Sequence, residues 1–189
     1  MPRIVGIVER FGHTLYSGWI ADTRPGGMGV SHETSFSDPM RLYVSDIGDR
    51  LRTNMYVPGR LPGEQSASIL QMGFHVSFNT EARYQEFFDT QNGSSFVLNI
   101  NGDEAYKLEA SKFQDTNKRV TPRPTYKYGI RIQHNISKPL VIAPLQTFHV
   151  TLNTEPEFAN TMKNIDSGRW TTYAEIKHFM NVLMTREVL

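Results

Sequence analysis

Residues 68–78 read SILQMGFHVSF, and this stretch decides the fold class. Phe74, Val76 and Phe78 hold alternate positions, with His75 and Ser77 between them. A period of two marks a half-buried β-strand, because successive side chains on a strand point to opposite faces. The chain reaches it through Pro58-Gly59 and Pro62-Gly63, two strong turn signals. Downstream the same period returns. Phe96, Leu98 and Ile100 alternate with Val97 and Asn99, then Asn101-Gly102 leads straight into residues 104–108, EAYKL. An Asn-Gly pair between alternating strands predicts a type I′ hairpin, since both central residues of that turn need positive φ. Tyr126, Tyr128, Ile130 and Ile132 alternate next, and Asn135 with Ser137 predicts a turn. Residues 140–143 are continuously apolar, which predicts a short strand buried on both faces. Phe148, Val150 and Leu152 alternate with His149 and Thr151.

The two ends of the chain are harder to read. Residues 82–88 fit a helix or a strand, and residues 155–162 open a short helix. At residues 173–189 a strand is preferred to a helix, which puts Ile176, His178, Met180, Val182 and Met184 on one face. Residues 1–65 look irregular, with a short strand or anchoring segment at Ile4, Ile7 and Val8 and strand-like alternation at 40–44. The three glycines of residues 23–29 do not make a phosphate loop, because no helix pattern or Lys-Ser/Thr pair follows. Turn signals about every 10 residues are the spacing of an all-β sandwich or barrel.

The chain has 189 residues, enough to bury a core without staples. Lysine plus arginine is 20 and aspartate plus glutamate is 19, so nucleic-acid binding by the whole surface is not expected. Cysteine is absent, which removes disulfide scaffolds, thiol nucleophiles and cysteine metal sites together. The opening MPRIVGIVERFGH meets charge too early for a signal peptide, and no apolar run approaches a membrane helix. Residues 1–50 carry five arginines and six acidic residues, and no lysine precedes Lys107. A polybasic N-terminal arm is therefore missing. The one basic concentration is Lys112, Lys118, Arg119, Arg123, Lys127 and Arg131, interleaved with Tyr126 and Tyr128. It is a candidate nucleic-acid patch, or a loop that meets acidic neighbours on an adjacent subunit.

No catalytic constellation emerges, so the protein is not expected to be an enzyme or to need a cofactor. The six histidines lack metalloprotease or cupin spacing, and no Gly-x-Ser-x-Gly is present. His75, His149 and His178 read as solvated or interface histidines. Asp46 and Asp49 are weak candidates for calcium, and such a pair is more often a turn-former. Asn92-Gly-Ser and Asn135-Ile-Ser match the glycosylation pattern, read as coincidence without a secretory signal. Glu155 and Glu157 stand too close in sequence to flank a glycosidic bond.

The order of features resembles the single jelly-roll capsid proteins of tailless icosahedral bacteriophages. VPGRLPGE leading into ILQMGFHVSF is similar to the approach to their first jelly-roll strand. SSFVLNINGDEAYKLEASKF resembles their hairpin, and YKYGIRIQHN, PLVIAPLQTFHVTLNTEPEF and a terminal strand follow in the same sequence. The likeness covers about residues 54–189, while residues 1–53 have no counterpart. It implies an antiparallel eight-stranded jelly-roll sandwich at 54–189 behind an irregular N-terminal extension at 1–53. It also implies a shell subunit, major or minor, whose partners are copies of itself and other capsid proteins in a virion assembled in the host cytoplasm. An internal membrane or a separate basic genome-binding protein would lie beneath such a shell. The extension, with Phe11, Tyr16, Trp19 and Phe36, should pack along its own domain or reach a neighbour as an inter-subunit arm. A chain lacking residues 1–35 should then fold without assembling. The competing class is a carbohydrate-binding jelly roll, a lectin or receptor-binding module, that stacks sugars on Trp19, Trp170 and several tyrosines.

Overall fold

The computed structural model describes residues 7–22, 39–44, 53–55, 57–78, 94–109, 119–120, 128–157, 160 and 173–188. Among them are nine strands. They are β1 (Ile7–Asp22), β2 (Met40–Leu42), β3 (Ser66–Phe78), β4 (Ser95–Ile100), β5 (Asp103–Glu109), β6 (Arg119–Val120), β7 (Tyr128–Ile142), β8 (Phe148–Asn153) and β9 (Tyr173–Val188). They form one sheet in the order β1-β9-β3-β7-β6 and a second in the order β2-β8-β4-β5. Every pairing is antiparallel. The protein is an all-β sandwich.

The pairing is nested. Leaving the two-residue β6 aside, β1 pairs with β9, β2 with β8, β3 with β7 and β4 with β5. The chain behaves as one long hairpin whose tip is Asn101-Gly102, wrapped so that successive strands along each of its two arms fall in opposite sheets. The tip has the predicted chemistry, with φ of +54° at Asn101 and +93° at Gly102. The core lies between the sheets. Trp19, Phe74, Val76, Ile176 and Met180 face Phe96, Leu98, Phe148, Val150 and Leu152, and all are buried. Phe74 and Phe96 stack across the interior with centroids 5.2 Å apart. Aromatic pairs at such distances add about 0.5–1.5 kcal/mol beyond area burial.

Residues 1–53 are not simply an irregular extension. Residues 7–22 form a strand paired with β9 along its whole length, from Ile7 opposite Val188 to Asp22 opposite Tyr173. Met40–Leu42 joins the second sheet. The strand at 66–78 is thus third in order, not first. The period of two in β1 is carried inward by Leu15, Ser17 and Trp19, and the buried serine breaks the apolar pattern that would have announced it. Ser17 is inward because its hydroxyl accepts the Tyr43 N–H at 2.9 Å.

Two smaller expectations also change. Asn135 and Ser137 do not end a strand. β7 runs through them with an irregularity in which Ile136 to Pro139 oppose the single residue Leu70, since Ile69 pairs with Leu140 and Gln71 with Asn135. Pro139 has no N–H for the ladder, which suits an interruption of pairing. Residues 140–143 are not buried on both faces either, as Ile142 is in the core while Val141 is 56% exposed. Of the helix expected at 155–162, Pro156, Glu157 and Asn160 have helical backbone, and residues 158–159 and 161–162 lie outside the described residues.

Candidate functional site

One end of the sandwich gathers three turns, and backbone hydrogen bonds knit them together. Gly59 sits at φ +63°, where a side chain is strained. Its N–H donates to the Tyr43 carbonyl at 2.6 Å, and its carbonyl accepts the Phe148 N–H at 2.7 Å. Arg60 forms a β-bridge to Thr147. The Asn101 N–H donates to the Thr147 carbonyl at 2.8 Å, and the Thr147 N–H donates back to Asn101 Oδ1 at 3.1 Å. The Tyr43 bend, the Pro58-Gly59 turn and the turn into β8 therefore meet the hairpin tip. Exposed apolar side chains stand on this assembly, namely Val44, Val57 and Leu145.

Leu145 is the most exposed large apolar residue described, at 76%. It is also in the left-handed region, at φ +65°. The turn is Ala143-Pro144-Leu145-Gln146. The Gln146 N–H donates to the Ala143 carbonyl at 3.3 Å, and Gln146 Oε1 accepts the Ala143 N–H at 2.8 Å. Proline second and positive φ third is the pattern of a type II turn, whose third place belongs to glycine or asparagine. Leucine there costs on the order of 1–3 kcal/mol of backbone strain.

An apolar cavity of about 310 Å³ opens beside β1. Phe11, Leu15, Met55, Leu61, Pro62 and Met184 line it, with His13, Asn54 and Gln65 as its polar members. Asn54 is fixed to the strand edge. Its Oδ1 accepts the Tyr16 N–H at 2.9 Å, and its Nδ2 donates to the Thr14 carbonyl at 2.7 Å.

The outer face of the larger sheet carries a chain of uncharged hydrogen bonds across four strands. Thr14 Oγ1 donates to Asn181 Oδ1 at 2.8 Å, Asn181 Nδ2 to Gln71 Oε1 at 2.8 Å, and Gln71 Nε2 to Asn135 Oδ1 at 2.6 Å. Farther along this face the charges gather. Glu175 pairs with Lys177 at 2.8 Å and lies 4.0 Å from His75.

The interior holds a polar pair that the sequence reading did not find. Tyr43, at φ +69°, and His178 are both fully buried. Tyr43 Oη lies 2.9 Å from His178 Nδ1, 3.3 Å from the His178 carbonyl and 3.4 Å from the Leu15 carbonyl. His178 Nε2 has no hydrogen-bond partner. The tautomer that fits carries its proton on Nδ1, which donates to Tyr43 Oη while the phenol donates to a carbonyl. The other tautomer would bury an unpaired N–H, the more expensive orphan. Burial holds the His178 pKa down at about 3 and raises that of Tyr43 well above its ordinary value. His178 is therefore a core residue, not a solvated histidine, and shares its face with Ile176 and Met180 as strand parity requires. His149 remains partly exposed, with its pKa lowered by burial and then by Arg41.

The other sequence candidates scatter. Asp46, Asp49, Lys112, Lys118, Arg123, Lys127, Phe36 and Trp170 lie outside the described residues. Arg119 and Arg131 are opposite each other in the β6–β7 register, and His75 is opposite Arg131 in β3. Phe11 is half-buried under the Arg186 guanidinium, 5.7 Å from its centroid, and Tyr16 lies under Lys177 at 5.2 Å. Trp19 is 2% exposed in the chain's own core. Glu155 and Glu157 are exposed neighbours on one segment. Among the described residues no group of three or more histidines and carboxylates could hold a metal ion.

No protein-family model matches the chain, and no curated protein does. Among solved structures, the BFDV capsid protein, crystallised as a decamer, is similar with a TM-score of 0.28 and 8% sequence identity. The alignment covers 95% of this chain and 100% of that chain. A TM-score of that size carries no functional argument.

Proposed function

We propose that this protein is a jelly-roll subunit of an icosahedral virion shell, and that its work is done by its surface against copies of itself and other shell proteins. The nested pairing carries the reading, because wrapping one long hairpin into two sheets is the jelly-roll route to a sandwich. The tailless-phage type rests on the sequence resemblance over residues 54–189. No catalysis is assigned. The apolar side chains on the knitted turn end suit a contact surface, since exposed apolar groups mark interaction sites when they cluster. The carbohydrate-binding alternative loses Trp19 as a platform, because that ring is buried and cannot stack on a sugar.

Residues 1–50 carry a net charge of −1, from five arginines against six acids, so this stretch would not supply the positive charge that condenses a genome. An internal membrane or a separate basic protein would lie between shell and genome. Sedimentation velocity and negative-stain microscopy across a concentration series test the reading. Closed particles or discrete oligomers are expected. A monodisperse monomer at the highest soluble concentration overturns it.

A further inference from the structure

Leu145 and the cavity beside β1 are each anomalous alone, and each supplies what the other lacks. Leu145 is a large apolar side chain held out in solvent on a turn whose backbone disfavours it. A glycine or asparagine would relieve the strain and remove the exposed surface together. The cavity is the converse, about 310 Å³ of mostly apolar space that Leu145 of the same chain, being exposed, does not fill.

We propose that Leu145 is a knob that seats in the Phe11–Leu61–Met184 cavity of a second copy of this chain. The inference rests on the self-assembly reading above and names the contact by which it occurs. Three observations select a second copy as the occupant. The knob is built into the rigid end of the molecule, with its turn tied through Thr147 to Asn101 and Arg60, so it presents a fixed shape. Neither the turn, Ala143-Pro144-Leu145-Gln146-Thr147, nor the cavity lining includes a charged residue, and the Arg186 guanidinium beside Phe11 is neutralised by Glu9. Identical subunits can therefore meet there without repulsion. Gln65, on the cavity's rim, also offers a side-chain amide to the turn's carbonyls on burial.

Knob and cavity are different patches of one chain, so the contact is heterologous. Such contacts propagate head to tail and close into rings when the rotation permits. A shell needs interfaces of that kind around its symmetry axes.

The test compares wild type with Leu145→Gly and with His13→Trp, which fills the cavity from an exposed position. Leu145→Gly removes the knob while placing the residue that the turn prefers, so the subunit should unfold at equal or higher urea. Self-association, read by sedimentation, should weaken about 10- to 100-fold, the loss expected for one buried leucine side chain. His13→Trp should weaken it similarly, and the double variant should be no weaker than either alone, because both remove one contact. Wild-type association with unchanged association of Leu145→Gly overturns the knob and leaves the shell reading standing. Loss of association in Leu145→Gly with none in His13→Trp overturns the cavity as its seat. A wild type that stays monomeric overturns the shell reading and the knob with it.

Discussion

Acid should loosen this fold at His178. Its imidazole is fully buried, and burial holds its pKa at about 3 against an ordinary 6.5. Because the folded value is the lower one, the unfolded chain binds the proton first. The stability held by this group is complete above about pH 6.5 and is lost as pH falls toward 3. Each pH unit inside that window is worth about 1.4 kcal/mol. Between about pH 7.5 and about pH 5 the loss comes to about 2 kcal/mol, and it is the same for any folded pKa below about 4. Urea unfolding of wild type and His178→Gln at those two pH values measures it. Glutamine does not titrate and can still hydrogen-bond to Tyr43 Oη. The carboxylates and the other histidines, His149 included, are common to both chains and cancel in the comparison. Wild type should lose about 2 kcal/mol more than the variant on acidification. Parallel losses in the two chains would refute the assignment of the acid-sensitive group.

Gly59→Ala should destabilise the fold by about 2–3 kcal/mol in urea unfolding, because positive φ and a close backbone approach act together. An added Cβ would lie 2.8 Å from the Phe148 carbonyl oxygen. Removing residues 1–35 should unfold the chain rather than leave a folded, non-assembling sandwich, since β1 supplies Leu15 and Trp19 to the core; a cooperative urea transition in that truncation would contradict this. Asn54→Ala should bring turbidity on mild heating, because it frees the Tyr16 N–H and the Thr14 carbonyl on a sheet edge. Alanine at Lys118, Arg119 and Arg123 should flatten the salt dependence of any RNA or DNA binding; an unchanged slope removes the basic patch from consideration.

Local chemistry was legible in the sequence, and long-range pairing was not. Phe74, Val76 and Phe78 are buried as their alternation requires, and Asn101-Gly102 turns with two positive φ angles. Both depend on residues adjacent in sequence. β1 escaped because its inward positions include Ser17, whose only reason to face the core is the N–H of Tyr43, 26 residues away. Val141 reads as buried in a run of apolar residues, yet β7 has one wet face, and alternation with the buried Ile142 puts Val141 on it. His178 was already on the apolar face by parity. What hid its burial was the acceptor it requires, a tyrosine 135 residues distant in the left-handed region. The knob and its cavity were invisible for the same reason, since positive φ at Leu145 has no signature in the residue itself.

The treatment of the sheet edges narrows how copies of this chain can meet. An unpaired edge invites strand addition and, with it, uncontrolled aggregation. β5 ends the smaller sheet with exposed Asp103, Glu104, Lys107 and Glu109, and β2 at its other edge is only three residues long. The long edge of β1 is closed by the chain itself. Thr53 bridges Ser17, the Asn54 N–H donates to the Tyr16 carbonyl at 3.3 Å, and the Asn54 side chain occupies two further backbone groups. At these three edges, charged, short or capped, strand addition is disfavoured, and a neighbour there is met by side-chain contacts, where shape rather than backbone hydrogen bonding sets the partner. Asn54 serves both ends of that arrangement, because the residue that closes the β1 edge also lines the cavity in which Leu145 is proposed to seat. Closing the edge and shaping the socket are thus one structural act, and strand addition at β1 would remove the very surface that a neighbour's Leu145 needs.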